Sequence, residues 1–225
     1  MKNVTRLKKA LLMLSGGIDS AVCLLMLQRQ GFEVTTLSFR QESRLNNMPE
    51  VLCARAFAKR FATRHIEVDL TSADELIRHM PDLRLSFGGS INNCPGSKTQ
   101  GAPMSVSIML SMALMHACTA DIGKVAWALH ADDLPSEPHR RKVFRLITLH
   151  QDLAELQAQV RPQIILPLIR YTKPQIVRIL APEYGINVAE TFSCSDPKGG
   201  QACGKCGQCL ARDAALFPLE NRRSA

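Results

Sequence analysis

Aromatic residues are scarce in this chain: one tryptophan, Trp127, two tyrosines and eight phenylalanines make up 5% of its 225 residues. Apolar residues still reach 46%, so a sizeable core can form, and it must be mainly aliphatic. That proportion excludes a disordered chain. Long apolar runs are missing as well. None approaches the ~18 residues that cross a bilayer, so no membrane span is expected. Lys2, Arg6, Lys8 and Lys9 precede a short apolar stretch in the manner of a secretory signal. The stretch is too short, however, and no cleavage-site pattern follows it. The chain is therefore read as cytoplasmic. Internal repeats are absent, and the length suits one large domain or one domain with a small appendage. The net charge of +8 suits phosphate-rich partners, nucleotides or nucleic acid, without choosing between them.

What is present alternates between strand and helix signals. Residues 8–14 read as a buried strand, and residues 19–30 as a helix ended by Gly31. Residues 34–39 form a β-branched strand, and residues 49–61 carry apolar side chains at helical spacing. Residues 65–70 alternate like a short strand, and Ser72 with Glu75 makes a capping-box pattern that opens another helix. Residues 81–103 are crowded with Gly, Asn, Ser and Pro and read as a long loop. A buried helix over 104–117, strands over 125–129 and 164–166, and a helix from the Thr172 cap to about Tyr184 complete the pattern. Such alternation implies βαβ units and a mostly parallel sheet.

The first strand breaks into Ser15-Gly16-Gly17-Ile18-Asp19-Ser20. Adjacent glycines let main-chain N–H groups approach an anion closely, and the following helix points its positive end at the turn. Ser15 and Ser20 add hydroxyl donors. This is neither a Walker loop, since no Gly-Lys-Ser/Thr follows, nor a G-x-G-x-x-G dinucleotide turn. Asp19 would repel a polyphosphate unless a magnesium ion bridged them. The alternative is a ligand-free glycine turn with a helix-capping aspartate.

Near the other end stand Cys194, Cys203, Cys206 and Cys209. In a reducing compartment clustered cysteines read as metal ligands rather than disulfides. Four thiolates suit a closed structural zinc site, and Gly199, Gly200, Gly204 and Gly207 supply tight turns. An iron–sulfur cluster is the principal rival, and redox disulfides are the plain alternative. Cys23 and Cys118 lie in apolar helical settings and read as core.

The run from Ser15 to Ser20 resembles the pyrophosphate loop of the N-type ATP pyrophosphatases. Glu190-Thr191-Phe192-Ser193-Cys194, Gly199-Gly200, Cys203-Gly204-Lys205-Cys206 and Cys209-Leu210-Ala211-Arg212 resemble the C-terminal signature of one branch, the 7-cyano-7-deazaguanine synthase family. So do Pro167-Leu168, Thr172-Lys173-Pro174-Gln175-Ile176-Val177 and Tyr184-Gly185-Ile186. The resemblance runs from the first strand to about Phe217 and is densest at both ends. It implies an α/β, parallel-sheet, Rossmann-like (adenine nucleotide alpha hydrolase-like) domain over 1–185. A C-terminal zinc-binding loop region with four cysteine ligands, over 186–225, would pack on it. It also implies ATP with Mg2+, held by Ser15, Gly16, Gly17, Ile18, Asp19 and Ser20. The main chain at Leu37, Ser38 and Phe39 would hold the adenine, and Lys173 the phosphates, with Asp19 and Lys173 as the catalytic pair.

The expected reaction is adenylation of a deazaguanine carboxylate, displacement of AMP by ammonia, and dehydration of the amide to a nitrile. The substrate end departs from the family pattern. Arg40-Gln41-Glu42-Ser43, Pro103-Met104-Ser105-Val106 and His130-Ala131-Asp132-Asp133 stand where other runs are usual. Arg40, Arg44, Ser105, His130 and Asp133 are the candidate substrate residues, because a bidentate arginine suits a carboxylate and an aspartate suits a guanidine-like edge. The departures leave open a relative that passes the carboxylate to another amine, such as a protein acceptor in anti-phage defence, and a homodimer is a further expectation. Two other readings are a tRNA sulfur-transfer enzyme and a zinc-stabilised RNA-binding module. His139, Arg140, Arg141, Lys142 and Arg145 form a basic stripe, either a solvated face or a contact for an acidic partner. Arg212 is read either on phosphate or beside the cysteine loop.

Overall fold

The computed structural model describes residues 8–40, 48–61, 63–70, 105–194 and 197–216. Arg44, the helix expected to open at Ser72 and the loop expected over 81–103 lie outside the described residues.

Five parallel strands make one sheet: β1 (Lys8–Met13), β2 (Phe32–Arg40), β3 (Arg64–Asp69), β4 (Lys124–Ala126) and β5 (Gln163–Ile165), in the order β3-β2-β1-β4-β5. β1 is central. Its Ala10, Leu11 and Leu12 are fully buried, as a parallel strand covered on both faces requires. Leu11 registers with Thr35 of β2 and with Val125 of β4.

Alternate side chains of the strands feed two aliphatic layers. Leu12, Leu14 and Val34 face α1 (Ile18–Arg29), α2 (Met48–Arg60) and the helical segment after β5. Leu11, Leu37, Val125 and Ile164 face α3 (Ser105–Thr119) and α4 (Glu137–Ala158). The segment after β5 opens as α5 (Lys173–Gln175), widens into a π turn over Ile176–Leu180 and closes as α6 (Ala181–Glu183). Pro182 has no N–H to return to the preceding turn, which accounts for the widened register there. α7 (Gly207–Leu216) ends the described chain.

Two sequence expectations need adjustment. The strand expected over 125–129 stops at Ala126, because only Lys124–Ala126 finds partners on both sides. The basic stripe belongs to a 22-residue helix, α4, whose extent the sequence reading did not mark. Ser136 and Pro138 are its start signals.

β1 connects towards β2 and β4 towards β5, so the sheet reverses direction between β1 and β4. That switch point, at the carboxyl ends of β1 and β4, is the crevice position where open α/β sheets usually bind ligands. The turn after β1 forms one lip of it. Gly16 sits in that turn at φ +84°, and a Cβ there would lie 2.0 Å from the Glu50 carbonyl oxygen. Gly16→Ala is therefore expected to cost about 3 kcal/mol, combining left-handed strain with overpacking against backbone. Urea unfolding would check this, and a variant as stable as the parent would contradict the packing.

Candidate active site

The turn is built from short polar side chains closing on each other. Ser20 Oγ accepts the Ser15 N–H at 3.2 Å and donates to the Gly17 carbonyl at 3.0 Å. Ser15 Oγ lies 3.2 Å from Ser20 Oγ and accepts the Gly17 N–H at 3.4 Å. α1 starts at Ile18, whose side chain is buried in the core, so its first-turn N–H groups and positive end face the turn.

Asp19 and Lys173 are 154 residues apart, yet Lys173 Nζ donates to Asp19 Oδ2 at 2.5 Å. Both side chains are largely shielded, at 12% exposed for Lys173 and 22% for Asp19. Three local features hold the lysine in place. Thr172 and Gln175 form a reciprocal capping box at the start of α5, and the Lys173 backbone N–H donates to Asp132 Oδ2 at 2.7 Å. The Ala131 N–H donates to the Tyr171 carbonyl at 2.8 Å. The segment after β4 and the segment before α5 are thereby bound together across the crevice.

His130 and Asp133 lie at the same place. The His130 N–H donates to Asp133 Oδ2 at 3.0 Å, and His130 Nε2 is 3.5 Å from that oxygen. Burial pushes the Asp133 carboxyl above the usual carboxylate range; His130 pulls it back down and Asp19 adds to the rise. Among the described residues, Asp19 Oδ1 and His130 Nδ1 are buried with no hydrogen-bond partner. One crevice thus combines a turn of N–H and hydroxyl donors, one compact cation and a carboxylate oxygen left over. Such a set can hold a polyphosphate together with a divalent cation.

The remaining expected residues are distributed as follows. Leu37 and Ser38 are buried at the end of β2, and Ser38 Oγ donates to the Leu14 carbonyl at 2.5 Å. Phe39 packs against the second aliphatic layer. Arg40 closes β2 and pairs with Asp69 at the end of β3. Ser105 is the first residue of α3.

The four cysteines form a second centre behind the turn. Their sulfur atoms all lie within 4.8 Å of one another. Backbone N–H groups point at the sulfurs: Cys203 N to Cys194 Sγ at 3.2 Å, Cys206 N to Cys203 Sγ at 3.3 Å, and Cys209 N to Cys206 Sγ at 3.4 Å. Burial, together with hydrogen bonds from the neighbouring thiols, pushes the Cys209 thiol well above its ordinary range. A bound cation reverses that tendency by holding thiolates directly, and the donor set suits one.

The two centres share a wall. The Phe192 N–H donates to the Gly16 carbonyl at 3.1 Å, two residues before Cys194. Glu50, in the first turn of α2, accepts the Cys194 N–H, and burial pushes its carboxyl up to about 8. Arg212, on α7, donates to the carbonyls of Thr191 at 2.8 Å and Val188 at 2.7 Å. It therefore packs beside the cysteine loop. Glu50 was not singled out in the sequence, since one glutamate near the start of a helix carries no signal of a partner at position 194.

A family model described as "Queuosine biosynthesis protein QueC" matches residues 9–219. The 7-cyano-7-deazaguanine synthase of Anaeromyxobacter sp. (strain Fw109-5) is 31% identical, with 91% of this chain and 90% of the relative covered. The protein of the same name from Cupriavidus necator is 32% identical, with 93% and 92% covered. Among solved structures, the chain shares its fold with NMN synthetase from Francisella tularensis, at TM-score 0.52 and 12% identity over 97% of this chain and 86% of that one. It shares it also with the U34-tRNA thiolase NcsA from Methanococcus maripaludis, solved with its [4Fe-4S] cluster, at TM-score 0.54 and 14% identity over 96% and 68%. Two-thirds and more of both chains align with the synthases, and the crevice and cysteine centre lie inside the matched span, so the chain belongs to the QueC family of queuosine-biosynthesis proteins.

Proposed function

We propose that the chain is an ATP-dependent C–N ligase acting on a 7-carboxy-7-deazaguanine-type carboxylate. The carboxylate attacks the α-phosphorus of ATP, giving an acyl-adenylate and pyrophosphate. An amine displaces AMP to form the amide; with ammonia as that amine, a second ATP adenylates the amide oxygen with release of pyrophosphate, and departure of AMP, carrying that oxygen, with loss of the nitrogen's protons gives the nitrile. The observation that carries this reading is the Lys173–Asp19 pair across the mouth of the glycine turn, in a chain of this family.

Each residue has a distinct task. N–H groups of the turn receive the β- and γ-phosphates as a preformed set of donors, so little reorganisation accompanies the reaction. Lys173 exchanges its contact with Asp19 for phosphate oxygens, and the mobile charge follows pyrophosphate as it leaves. The partnerless Asp19 Oδ1 fits a magnesium ion, which would supply Lewis-acid charge to the phosphates. The main chain at Leu37, Ser38 and Phe39 receives the adenine. Positioning and charge neutralisation carry the rate, because adenylation itself creates the leaving group.

The four thiols fit a zinc ion, which would contribute to folding and not to the chemistry, all of its protein ligands being spoken for. Cys206→Ser is expected to yield poorly soluble protein. Elemental analysis of the parent should give one zinc per chain, and iron in its place would turn the reading towards a cluster enzyme. Asp19→Ala and Ser15→Ala are expected to lower AMP formation by about 100-fold or more. Their circular dichroism should match the parent, and AMP release at the parent rate would reduce the turn to a structural element.

A second reading concerns the acceptor. Asp132 and Asp133 each give an oxygen to a backbone N–H beside Lys173 and His130, and Arg40 pairs with Asp69, so the side chains at these departing positions have partners that the usual family runs would not supply in the same form. This favours an amine other than ammonia, such as a protein N-terminus. With Mg-ATP and carboxy-deazaguanine, AMP should form while ammonia serves as a poor nucleophile, read by mass spectrometry of the products. Efficient release of the free nitrile would make the chain an ordinary synthase. No AMP with that carboxylate would overturn the deazaguanine assignment.

A further inference from the structure

The sheet has a second polar opening, at the end opposite the crevice. A cavity of about 260 Å³ lies at the amino ends of β1, β2 and β3, beside the last turn of α3, and Lys9, Glu33, Thr35, Arg64 and His116 line it. Strand alternation explains why these side chains gather. Leu11, Leu37 and Ile66 belong to the aliphatic layer that packs under α3. Lys9, Thr35 and Arg64 each stand two residues before one of them, on the same face of the sheet. Glu33 follows the same alternation and registers with Lys9, as Thr35 does with Arg64. α3 ends at Thr119, where the aliphatic layer gives way to charged residues.

The charges there are not settled within the fold. Among the described residues Lys9, Glu33 and Arg64 make no ion pair, although Lys9 and Glu33 stand directly opposite each other. His116 Nε2 is shielded from solvent and has no hydrogen-bond partner among the described residues. The carbonyls that end α3 are already taken up. Those of Met115 and His116 accept Thr119 Oγ1 at 3.2 and 3.0 Å, and that of Ala117 accepts the Ile122 N–H at 3.0 Å. The negative end of the helix is thereby lessened. The cavity wall offers an ammonium, a guanidinium, an imidazole and a hydroxyl against one carboxylate.

We propose that this cavity binds inorganic phosphate in its protonated, hydrogen-phosphate form. Donors from three strands and one helix suit a tetrahedral anion, and the Arg64 guanidinium can grip two of its oxygens at once. The Glu33 carboxylate would repel a bare anion. It becomes an acceptor for the one oxygen that still carries a proton. Near neutral pH phosphate keeps such a proton and sulfate does not, so Glu33 sets the selectivity. The bound ion ties the amino ends of β1, β2 and β3 to the end of α3 and stabilises the folded chain according to its occupancy. About 20 Å of extended chain separates Lys9 from Ser15, so the proposal does not depend on the reaction assigned above.

The test is titration calorimetry of inorganic phosphate and of sulfate, at neutral pH and equal ionic strength. The full chain carries Ser15→Ala and Lys173→Ala, which disable phosphate binding at the glycine turn. Phosphate should still bind this chain, one ion per chain, and sulfate about ten-fold more weakly or worse. Adding Arg64→Gln should weaken phosphate by about ten-fold or more, the worth of a charge-assisted hydrogen bond. Adding Glu33→Gln should let sulfate bind as tightly as phosphate. Arg64 and Glu33 are both exposed, so neither change removes core packing, and circular dichroism checks the fold. If an added variant folds poorly, the imidazole resonances of His116 in the Ser15→Ala, Lys173→Ala chain replace it, and they should shift with phosphate and not with sulfate. Absence of phosphate binding, equal affinity for phosphate and sulfate, or affinity unchanged by Arg64→Gln would each overturn the proposal.

Discussion

The missing Cβ of Gly16 is the constraint on which both centres depend. With only a hydrogen there, the turn after β1 can lie against the backbone of α2 at Glu50 and accept the Phe192 N–H on its carbonyl. Three stretches far apart in sequence converge on that one residue. A side chain would push α2 away, and the segment leading into the cysteine centre would lose its anchor. The phosphate-binding candidate and the metal-binding candidate are therefore one mechanical unit.

Charge at the crevice is arranged with equal economy. The carboxylates of Asp19, Asp132 and Asp133 crowd one crevice lip, close enough that Asp133 is pushed upward by burial and by its neighbour Asp19. Lys173 offsets that crowding, and two backbone N–H groups absorb part of the remaining charge. A single flexible ammonium group is well suited to this position, since it can exchange one anion for another without rebuilding the site. The cysteine centre shows the opposite logic. Its backbone N–H groups converge on sulfur, and four thiols this close together could hold a metal ion.

Much of this architecture was legible in the chain. The buried run over 8–14, the β-branched run over 34–39 and the Thr172–Gln175 cap each correspond to an element within a residue or two, because each depends on local periodicity or a local hydrogen bond. The spacing of the four cysteines announced a cluster, and the sulfurs do converge. Less legible was β4, whose strand character ends at Ala126 although Trp127, Ala128 and Leu129 continue the apolar run. Strand length is set by where neighbouring strands end, which no single segment records. α4 was seen only as a basic stripe, since only Val143, Ile147 and His150 of it are buried and the exposed Leu149, Leu153 and Leu156 lie outside that stripe.

By itself the sequence determined the alternation of strand and helix, the glycine turn and the thiol set, since these follow from backbone freedom, hydrophobic period and spacing over a few residues. Tertiary structure alone decided which distant groups meet: Lys173 with Asp19, Glu50 with the Cys194 backbone, and Arg212 with the Val188 and Thr191 carbonyls. Those encounters depend on the order β3-β2-β1-β4-β5, which places the ends of β1 and β4 side by side. Strand order is a property of the whole sheet, fixed by how two aliphatic layers share its faces, and no local stretch of residues encodes it.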